Sequence, residues 1–413
     1  MLGFGVVSLL ADLVYEGARS ITGPLLASLG ATALVVGLVT GAGEAMALLL
    51  RLVSGRLADR TGRYWGITLA GYGLTAVSVP ALAAAPFVGG AGVLLASVLI
   101  LSERVGKAVR SPAKSALLAQ AAADVGMGRG LGVHKALDQI GAFVGPLLVA
   151  GVVALTGALW PALLVLVVPG AGAIWVLVWL RTRSLRAGSL RAGHQPPPDA
   201  PTVAEPAERV PEPAVPEPAV PARFPRRFWW LAASAGAATA GLVTFGIISF
   251  HLAREQVFST TAIPLVYAVG MAAAAVAALI TGWCYERVRG WVLLSLPFLV
   301  AAVPPLAFTN NRVVVILGII SWGAAVGVQD STVKALVADL VPHGRRATAY
   351  GAFAAVQGGA ALAGGAVSGV LYSRSVPALV ATVAALQLVA LVLLVGILRN
   401  RGVDSDTDRS VVG

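Results

Sequence analysis

Gly55-Arg-Leu-Ala-Asp59-Arg60-Thr-Gly62-Arg63 closes one long apolar run and precedes another. Four charged or helix-ending residues, Asp59, Arg60, Gly62 and Arg63, are packed into its last five positions. Lys and Arg accumulate in the cytoplasmic loops of membrane proteins, so a short basic connection of this kind between two spans is expected to face the cytoplasm. The surrounding composition agrees with a membrane setting. The 413 residues are 57% hydrophobic and 12% charged, where a soluble domain carries roughly a quarter charged residues. Mean hydropathy is +0.84.

The stretch resembles the signature loop of the major facilitator superfamily, a Gly-x-x-x-Asp-Arg-x-Gly-Arg box joining the second and third helices. Gly55, Asp59, Arg60, Gly62 and Arg63 fit it without a gap. The resemblance implies an all-α membrane protein with about twelve transmembrane helices in two pseudo-symmetric six-helix bundles. It also implies that the loop serves as a gating latch, although Asp59 and Arg63 could equally cap helices and shape the turn.

Runs long enough to cross a bilayer, about 20 mostly apolar residues each, can be counted along the chain. Six lie before position 181 and six after 227, beginning with Leu2 to Leu26, Thr32 to Ser54 and Tyr64 to Ala85, and ending with Val376 to Leu398. They are too long for barrel strands and lack alternation, which leaves helices as the spanning element. The expected organisation is an N-terminal bundle at 1–180, a linker at 181–227, a C-terminal bundle at 228–398 and a tail at 399–413. The linker is rich in Pro, Ala and Glu, a composition that favours extended, unpacked chain.

Arginine sorts the loops. The even-numbered connections carry Arg56, Arg60, Arg63, Arg129, Arg287, Arg289, Arg345 and Arg346, together with the linker arginines; the odd-numbered ones carry Arg254, Arg312 and Arg374. Both termini are therefore expected in the cytoplasm of a multi-pass protein of a bacterial inner membrane. The net charge of +11 is accounted for by this pattern, and no nucleic-acid partner is expected. No basic leader precedes the first run, so a cleaved signal peptide is not expected. The single cysteine, Cys284, can form no intramolecular disulfide.

The halves repeat. Gly132 to Gly145 aligns with Gly351 to Gly364 at an offset of 219, as does Ser115 to Gln120 with Lys334 to Asp339. Gly282-Trp-Cys-Tyr-Glu286-Arg287 is a decayed copy of the signature loop, and Phe4 to Ser8 echoes Phe245 to Ser249. Gly141, Gly145 and Pro146 form a small-residue face that lets helices approach closely in lipid. The same piece resembles a fifth-helix motif prominent in exporters of the superfamily.

Charges inside the apolar runs mark the candidate site. Asp12, Glu16 and Arg19 fall at i, i+4 and i+7, one face of the first helix, with Tyr15 beside them. Glu44 sits mid-way along the second run, with Arg51 on the same face. Glu103, Arg104, Lys107, Arg110 and Lys114 stripe the fourth, whose lower part reads as a solvated helix end. His134, Lys135 and Asp138 stand on the fifth. A charge at the bilayer centre costs at least about 2.5–3.5 kcal/mol, so each is expected to face a partner or a wet cavity. Asp138 reads either as a coupling group or as a partner for Lys107 or Arg110. His251 and the pair Trp229 and Trp230 read as interface markers. At the corresponding places the second half carries Gln357 for Asp138 and Phe353 for His134, so ion handling is assigned to the first half.

Laid together, Ser8 to Asp12, Glu16, Gly43-Glu44-Ala45, Arg104 to Lys107 with Arg110 and Pro112, and Gly132 to Asp138 resemble a bacterial branch of the superfamily related to nickel-resistance and drug-efflux proteins. The branch's usual arginine one turn before Arg104 is here Ile100. No His or Cys cluster suits a soft metal ion, and no phosphate-cradling Gly-x-x-x-x-Gly-Lys-Ser/Thr loop is present. No metal, cofactor or enzymatic activity is therefore expected. The expected function is proton-coupled export of a small solute or drug-like compound by a monomer. Asp12, Tyr15, Glu16, Arg19, Glu44, Arg104, Lys107 and Asp138 would line the coupling and substrate cavity, with Glu44, Asp12 or Glu16 taking the proton and Arg104 releasing it. A proton-coupled importer and a non-transporting receptor are the alternatives.

Overall fold

A computed structural model describes the backbone of residues 2–123, 127–192, 224–340 and 346–409, and the side chains of 2–121, 132–186, 224–330 and 348–399. Most of the linker expected at 181–227 lies outside the described residues. The described chain is helical in twelve successive rods, called spans 1 to 12 here. Span 1 is Leu2–Ser20 followed by Thr22–Ser28, span 2 Ala33–Thr61, span 3 Tyr64–Ala81 with Leu82–Phe87, span 4 Gly92–Ala123, span 5 Met127–Thr156, and span 6 Leu159–Val165 with Val167–Ala192. Span 7 is Arg226–Gly241 with Phe245–Arg254, span 8 Ala262–Val288, span 9 Arg289–Leu294 with Ser295–Ala307, span 10 Arg312–Leu340, span 11 Arg346–Arg374 and span 12 Val376–Arg409.

By length and apolarity alone, nine stretches of the described residues could cross a membrane, one of them, Ala262–Ala307, holding two rods. Spans 1 and 4 are not among the nine. Those are the two that carry most of the buried charge. Outward-facing Leu94, Val98, Leu155, Trp175, Leu279 and Val392 are exposed, as side chains facing lipid rather than water must be. Trp229, Trp230, Trp283 and Trp291 are also exposed and cluster at the end of the molecule that bears the signature loop, here the loop end. The opposite end, with Gly30, Gly157, Gln256 and Asn310, is the far end.

Local chemistry sets the boundaries. Thr32 caps span 2, its hydroxyl accepting from the Val35 amide at 3.3 Å, which satisfies one free donor of the first turn. Span 2 ends at Gly62, φ +64, whose amide returns to the Ala58 carbonyl. Left-handed φ at a helix C-terminus favours glycine because no Cβ meets the preceding carbonyl. Span 1 is broken at Ile21, where the apolar run predicts one continuous helix. Pro24 accounts for the break: it has no amide to donate and its ring crowds the carbonyl of Ser20, four residues back.

The internal repeat is visible in the packing. Span 1 lies along span 5, and a Cβ built at Gly145 would stand 2.5 Å from the Leu13 carbonyl oxygen. Span 7 lies along span 11 in the same way, with Gly364 against Ala240. Gly145 to Gly364 is the offset of 219 found in the sequence, whereas Leu13 to Ala240 is 227. The offset of 227 also takes Gly55 to Gly282. The pairing of Phe4 to Ser8 with Phe245 to Ser249 is therefore out of register, because the two bundles differ by insertions between their second and fourth spans and the short motif is shared by chance.

The bundles meet chiefly where span 2 runs along span 11. Gly37 faces Gly365, a Cβ on Gly41 would stand 2.7 Å from the Ala361 carbonyl oxygen, and one on Gly369 2.5 Å from that of Ala33. Small residues here bring backbone onto backbone. Gly23 of span 1 likewise faces Gly246 and Ser249 of span 7, so the far end is closed.

Candidate functional site

Span 1 presents its charged face to four neighbours, spans 2, 4, 5 and 8. Arg19 donates from Nη2 to Glu44 Oε1 on span 2 at 2.8 Å, and from Nη1 to the Tyr15 hydroxyl at 3.3 Å. Glu16 accepts a short hydrogen bond from the Tyr267 hydroxyl of span 8. Asp12 lies beside Asp138 of span 5 and Lys107 of span 4. The i, i+4, i+7 spacing thus places the three on one stripe, and the crossing of spans 2, 4, 5 and 8 over that stripe decides their partners.

Arg104 of span 4 is the second organising cation. It is buried, with Nη1 3.7 Å from Glu44 Oε1 and Nε 3.5 Å from Glu103 Oε2. Both distances lie within ion-pair range, yet neither nitrogen makes a hydrogen bond, and Glu103 Oε1 is also without a partner. Its guanidinium lies 4.7 Å from the Tyr15 ring centroid, and Lys107 Nζ lies 3.3 Å from the same ring. Tyr15 therefore separates two cations with a π face, a contact worth about 0.5–2 kcal/mol for each when desolvated.

Between Tyr15, Arg19, Glu103 and Arg104 is a hollow of about 20 Å³. That is room for roughly one water molecule, and the unpartnered atoms of Arg104 and Glu103 provide a donor and an acceptor for it. The sequence leads to the expectation of a solute-sized cavity here. The hollow bounded by these side chains is water-sized, and the glycine contact of spans 2 and 11 draws the bundles together around it. Glu44 and Arg19 nevertheless keep side-chain exposures of 33% and 22%. On span 5 exposure rises toward the loop end, from 18% at Asp138 to 68% at Lys135. A larger hollow, about 430 Å³, opens at the far end between Pro24, Ala27, Leu159, Phe250 and Arg254.

Asp138 pairs with neither Lys107 nor Arg110. It accepts from Ser8 Oγ at 2.9 Å and from Lys135 Nζ at 2.7 Å, while Lys114 donates to Ser8 at 3.0 Å. Lys107 instead turns to Tyr15. Arg110 donates to Thr75 at 2.6 Å and lies over Tyr72. It is 4% exposed, so the fourth-span stripe is buried here rather than a solvated end. The Lys135–Asp138 spacing of i, i+3 was the available clue.

The signature loop stays at the surface. Asp59, Arg60 and Arg63 are exposed, Asp59 accepts from the Tyr64 hydroxyl at 3.2 Å, and Gly55 packs against Pro112. The small faces of Gly141 and Gly145 bring span 5 onto span 1 and so set Asp138 opposite Asp12. His251, read from sequence as an interface marker, is buried, with Nδ1 2.9 Å from the Tyr372 hydroxyl and Nε2 unpartnered. Two functional-site contributors escaped sequence reading. Tyr267 is a lone tyrosine in an apolar run, and Thr239 joins Gln329 at 2.8 Å and Gln357 at 3.3 Å.

Comparison with known proteins fits this architecture. Uncharacterised proteins of Mycobacterium tuberculosis and Mycobacterium bovis are 52% identical over 396 residues, covering 95% of this chain and 91% of theirs. Among solved structures, a point mutant of the nucleoside transporter NupG matches with a TM-score of 0.69 at 14% identity, over 96% of this chain and 98% of that one. A bacterial homologue of the iron transporter ferroportin, in an inward-facing state, matches at 0.66 with 13% identity over 96% and 98%. A POT family transporter in complex with a thioalcohol-conjugated peptide matches at 0.67 with 11% identity over 96% and 94%. At such identities these likenesses speak for the fold. The Major Facilitator Superfamily model matches residues 5–365 and 241–412. The chain is a multi-pass membrane protein that belongs to the Major Facilitator Superfamily of transporters.

Proposed function

We propose that this secondary transporter couples export of a small solute or drug-like compound to the entry of protons across a bacterial inner membrane, acting as a monomer. The loop end and both termini then face the cytoplasm, as the arginine-rich connections favour, and the far end faces outside. The observation that carries the reading is Glu44, held between Arg19 and Arg104 at the meeting of spans 1, 2 and 4 while a third of its side chain stays open to water. A carboxylate in that position can exchange a proton with solvent, and its two arginines lose their counter-charge when it does. The neutral lining of Thr239, Gln329 and Gln357 on the other bundle offers hydrogen bonds to a solute without competing for the proton. Gly141, Gly145 and Pro146 favour export over import. The signature loop would act as a gating latch at the cytoplasmic ends.

The structural neighbours handle nucleosides, peptides and iron by their names, and none of these cargoes transfers at 11–14% identity. The test begins with candidate solutes that raise the thermal stability of the purified protein. Hits are then followed in proteoliposomes under an imposed proton gradient. Solute moving against the proton flow supports antiport, and movement with it establishes the importer instead. Glu44→Gln should abolish gradient-driven accumulation while solute binding persists. Undiminished pH-driven transport by that variant would remove Glu44 from the scheme.

A further inference from the structure

Among the described residues, two side-chain hydrogen bonds cross from one bundle to the other. Thr40 of span 2 meets Thr244 of span 7 at 2.8 Å, and Tyr267 of span 8 donates to Glu16 of span 1. The repeat makes them counterparts. The offset of 227 that carries Leu13 to Ala240 also carries Thr40 to Tyr267, and it carries Glu16 to Val243, the neighbour of Thr244. One crossing joins two hydroxyls. The other joins a phenol to a carboxyl, so only that one can change with protonation.

Tyr267 is built to stay in place. It is fully buried, edge-on to Phe245 with centroids 4.5 Å apart and 6.0 Å from Trp322. Trp322 is itself fixed, donating from Nε1 to the Val243 carbonyl at 3.0 Å. The hydroxyl is out of reach of bulk solvent and bonds Glu16; losing that partner is costly for a buried donor.

We infer that Tyr267 is the positioning residue of a proton-sensitive latch: its bond to ionised Glu16 holds the far ends of the two bundles together in the empty transporter, and protonation of Glu16 loosens it. The inference rests on the alternating-access reading above and names the bond at which a proton acts on it. An ionised acceptor makes a hydrogen bond roughly twice as strong as a neutral one. A proton arriving on Glu16 therefore weakens the bond without removing it. The empty, unprotonated carrier would then stay shut toward the outside, which prevents it from opening there without cargo or proton.

The ionisable neighbours of Glu16 stand on three spans. Asp12 and Arg19 on its own helix, Glu103 and Lys107 on span 4, and Tyr267 on span 8 all act on it, while Glu44 is held by Arg19 and Asp138 stands by Asp12. Groups so close share their protons. Tyr267→Phe is thus the sharper variant, because it removes the latch and leaves every carboxylate in place.

The test uses the full chain with Cys284→Ser, Thr156→Cys and Asn310→Cys, spin-labelled at the two new cysteines and reconstituted in nanodiscs without added solute. Both sites are exposed at the far end, one on each bundle. The parent should show a short-distance population that dominates in alkaline buffer and shrinks on acidification. Tyr267→Phe should lose this pH response and show less of the short population throughout; Glu16→Gln, which keeps the side chain's shape, should do the same. Thr40→Val should also reduce the short population but retain the pH response, since its bond has no ionisable member. A parent without pH response, or a Tyr267→Phe profile like the parent's, overturns the latch. Distances that respond while no gradient drives solute would remove proton coupling and leave the latch standing.

Discussion

In the leading bundle, spans 1 and 5 cross with Asp12 beside Asp138 and with Ser8, Lys107, Lys114 and Lys135 around them. At the equivalent crossing of the trailing bundle, spans 7 and 11 bring Thr239 to Gln357, with Gln329 completing the group. The offsets that match the backbones, 227 in the first spans and 219 in the later ones, carry Asp12 to Thr239, Asp138 to Gln357 and Arg110 to Gln329. One scaffold has thus been filled twice, once with charge and once with neutral hydrogen-bonding groups. Two charged walls would repel or trap a solute and would both need counter-ions out of water. Under the proton-coupled reading proposed above, one charged and one neutral wall would confine proton chemistry to a single bundle and leave the other free to hold cargo.

The largest test of this comparison is Arg104→Met. Its counterpart is Gly323, which lies directly against Gly270, whereas Arg104 lays its aliphatic stem on Gly43 and its guanidinium between Glu44 and Glu103. Removing the cation takes the guanidinium from between Glu44 and Glu103 and leaves Glu103 to Lys107, Arg110 and Arg19, and breaking a buried pair costs up to about 3–5 kcal/mol. A large fall in the thermal midpoint of purified protein in detergent is expected. A Met variant as stable as the parent would mean that the charged wall needs no internal balance.

Gln357→Asp asks the reverse question. It recreates the acid of the leading bundle beside Thr239 and Gln329, which hydrogen-bond there without charge. The expected cost is about 2.5 kcal/mol or more, since an uncompensated acid at the centre of a membrane helix is penalised on that scale. The thermal midpoint should fall, less than for Arg104→Met. An unchanged midpoint would show that the neutrality of the trailing bundle is not required by its surroundings.

Much of this was legible in the sequence because membrane spans are dictated by length and apolarity, and because the signature loop is contiguous. The stripe of Asp12, Glu16 and Arg19 followed from helical periodicity. Their partners did not, since helix crossings are set by three-dimensional packing: Glu16 finds a tyrosine 251 residues away. Asp138 is the opposite case, its lysine lying one turn away on the same helix rather than on a neighbouring span. The break at Ile21 was written in Pro24 but hidden inside an unbroken apolar run. The second offset, 227, is carried in the sequence by the decayed copy of the signature loop alone, and contacts extend it to the first spans, because polar and charged residues have replaced one another along it.

The same offset yields the smallest and most exacting test. It carries Gly62, the C-cap of span 2, to Arg289, the C-cap of span 8. Gly62 has φ +64 and its amide returns to Ala58; Arg289 has φ +50 and its amide returns to Tyr285, again 227 residues on. The repeat has kept the positive φ and the returning amide and lost the glycine. With ψ −135, Arg289 sits in a region that glycine alone enters without penalty, and such strain costs on the order of 1–3 kcal/mol. Opposite substitutions should therefore have opposite signs. Gly62→Ala should lower the thermal midpoint by an amount equivalent to about 1 kcal/mol, and Arg289→Gly should raise it by a similar amount. A midpoint that falls for both would mean that the arginine side chain, rather than the backbone turn, is what the trailing bundle retains at this position.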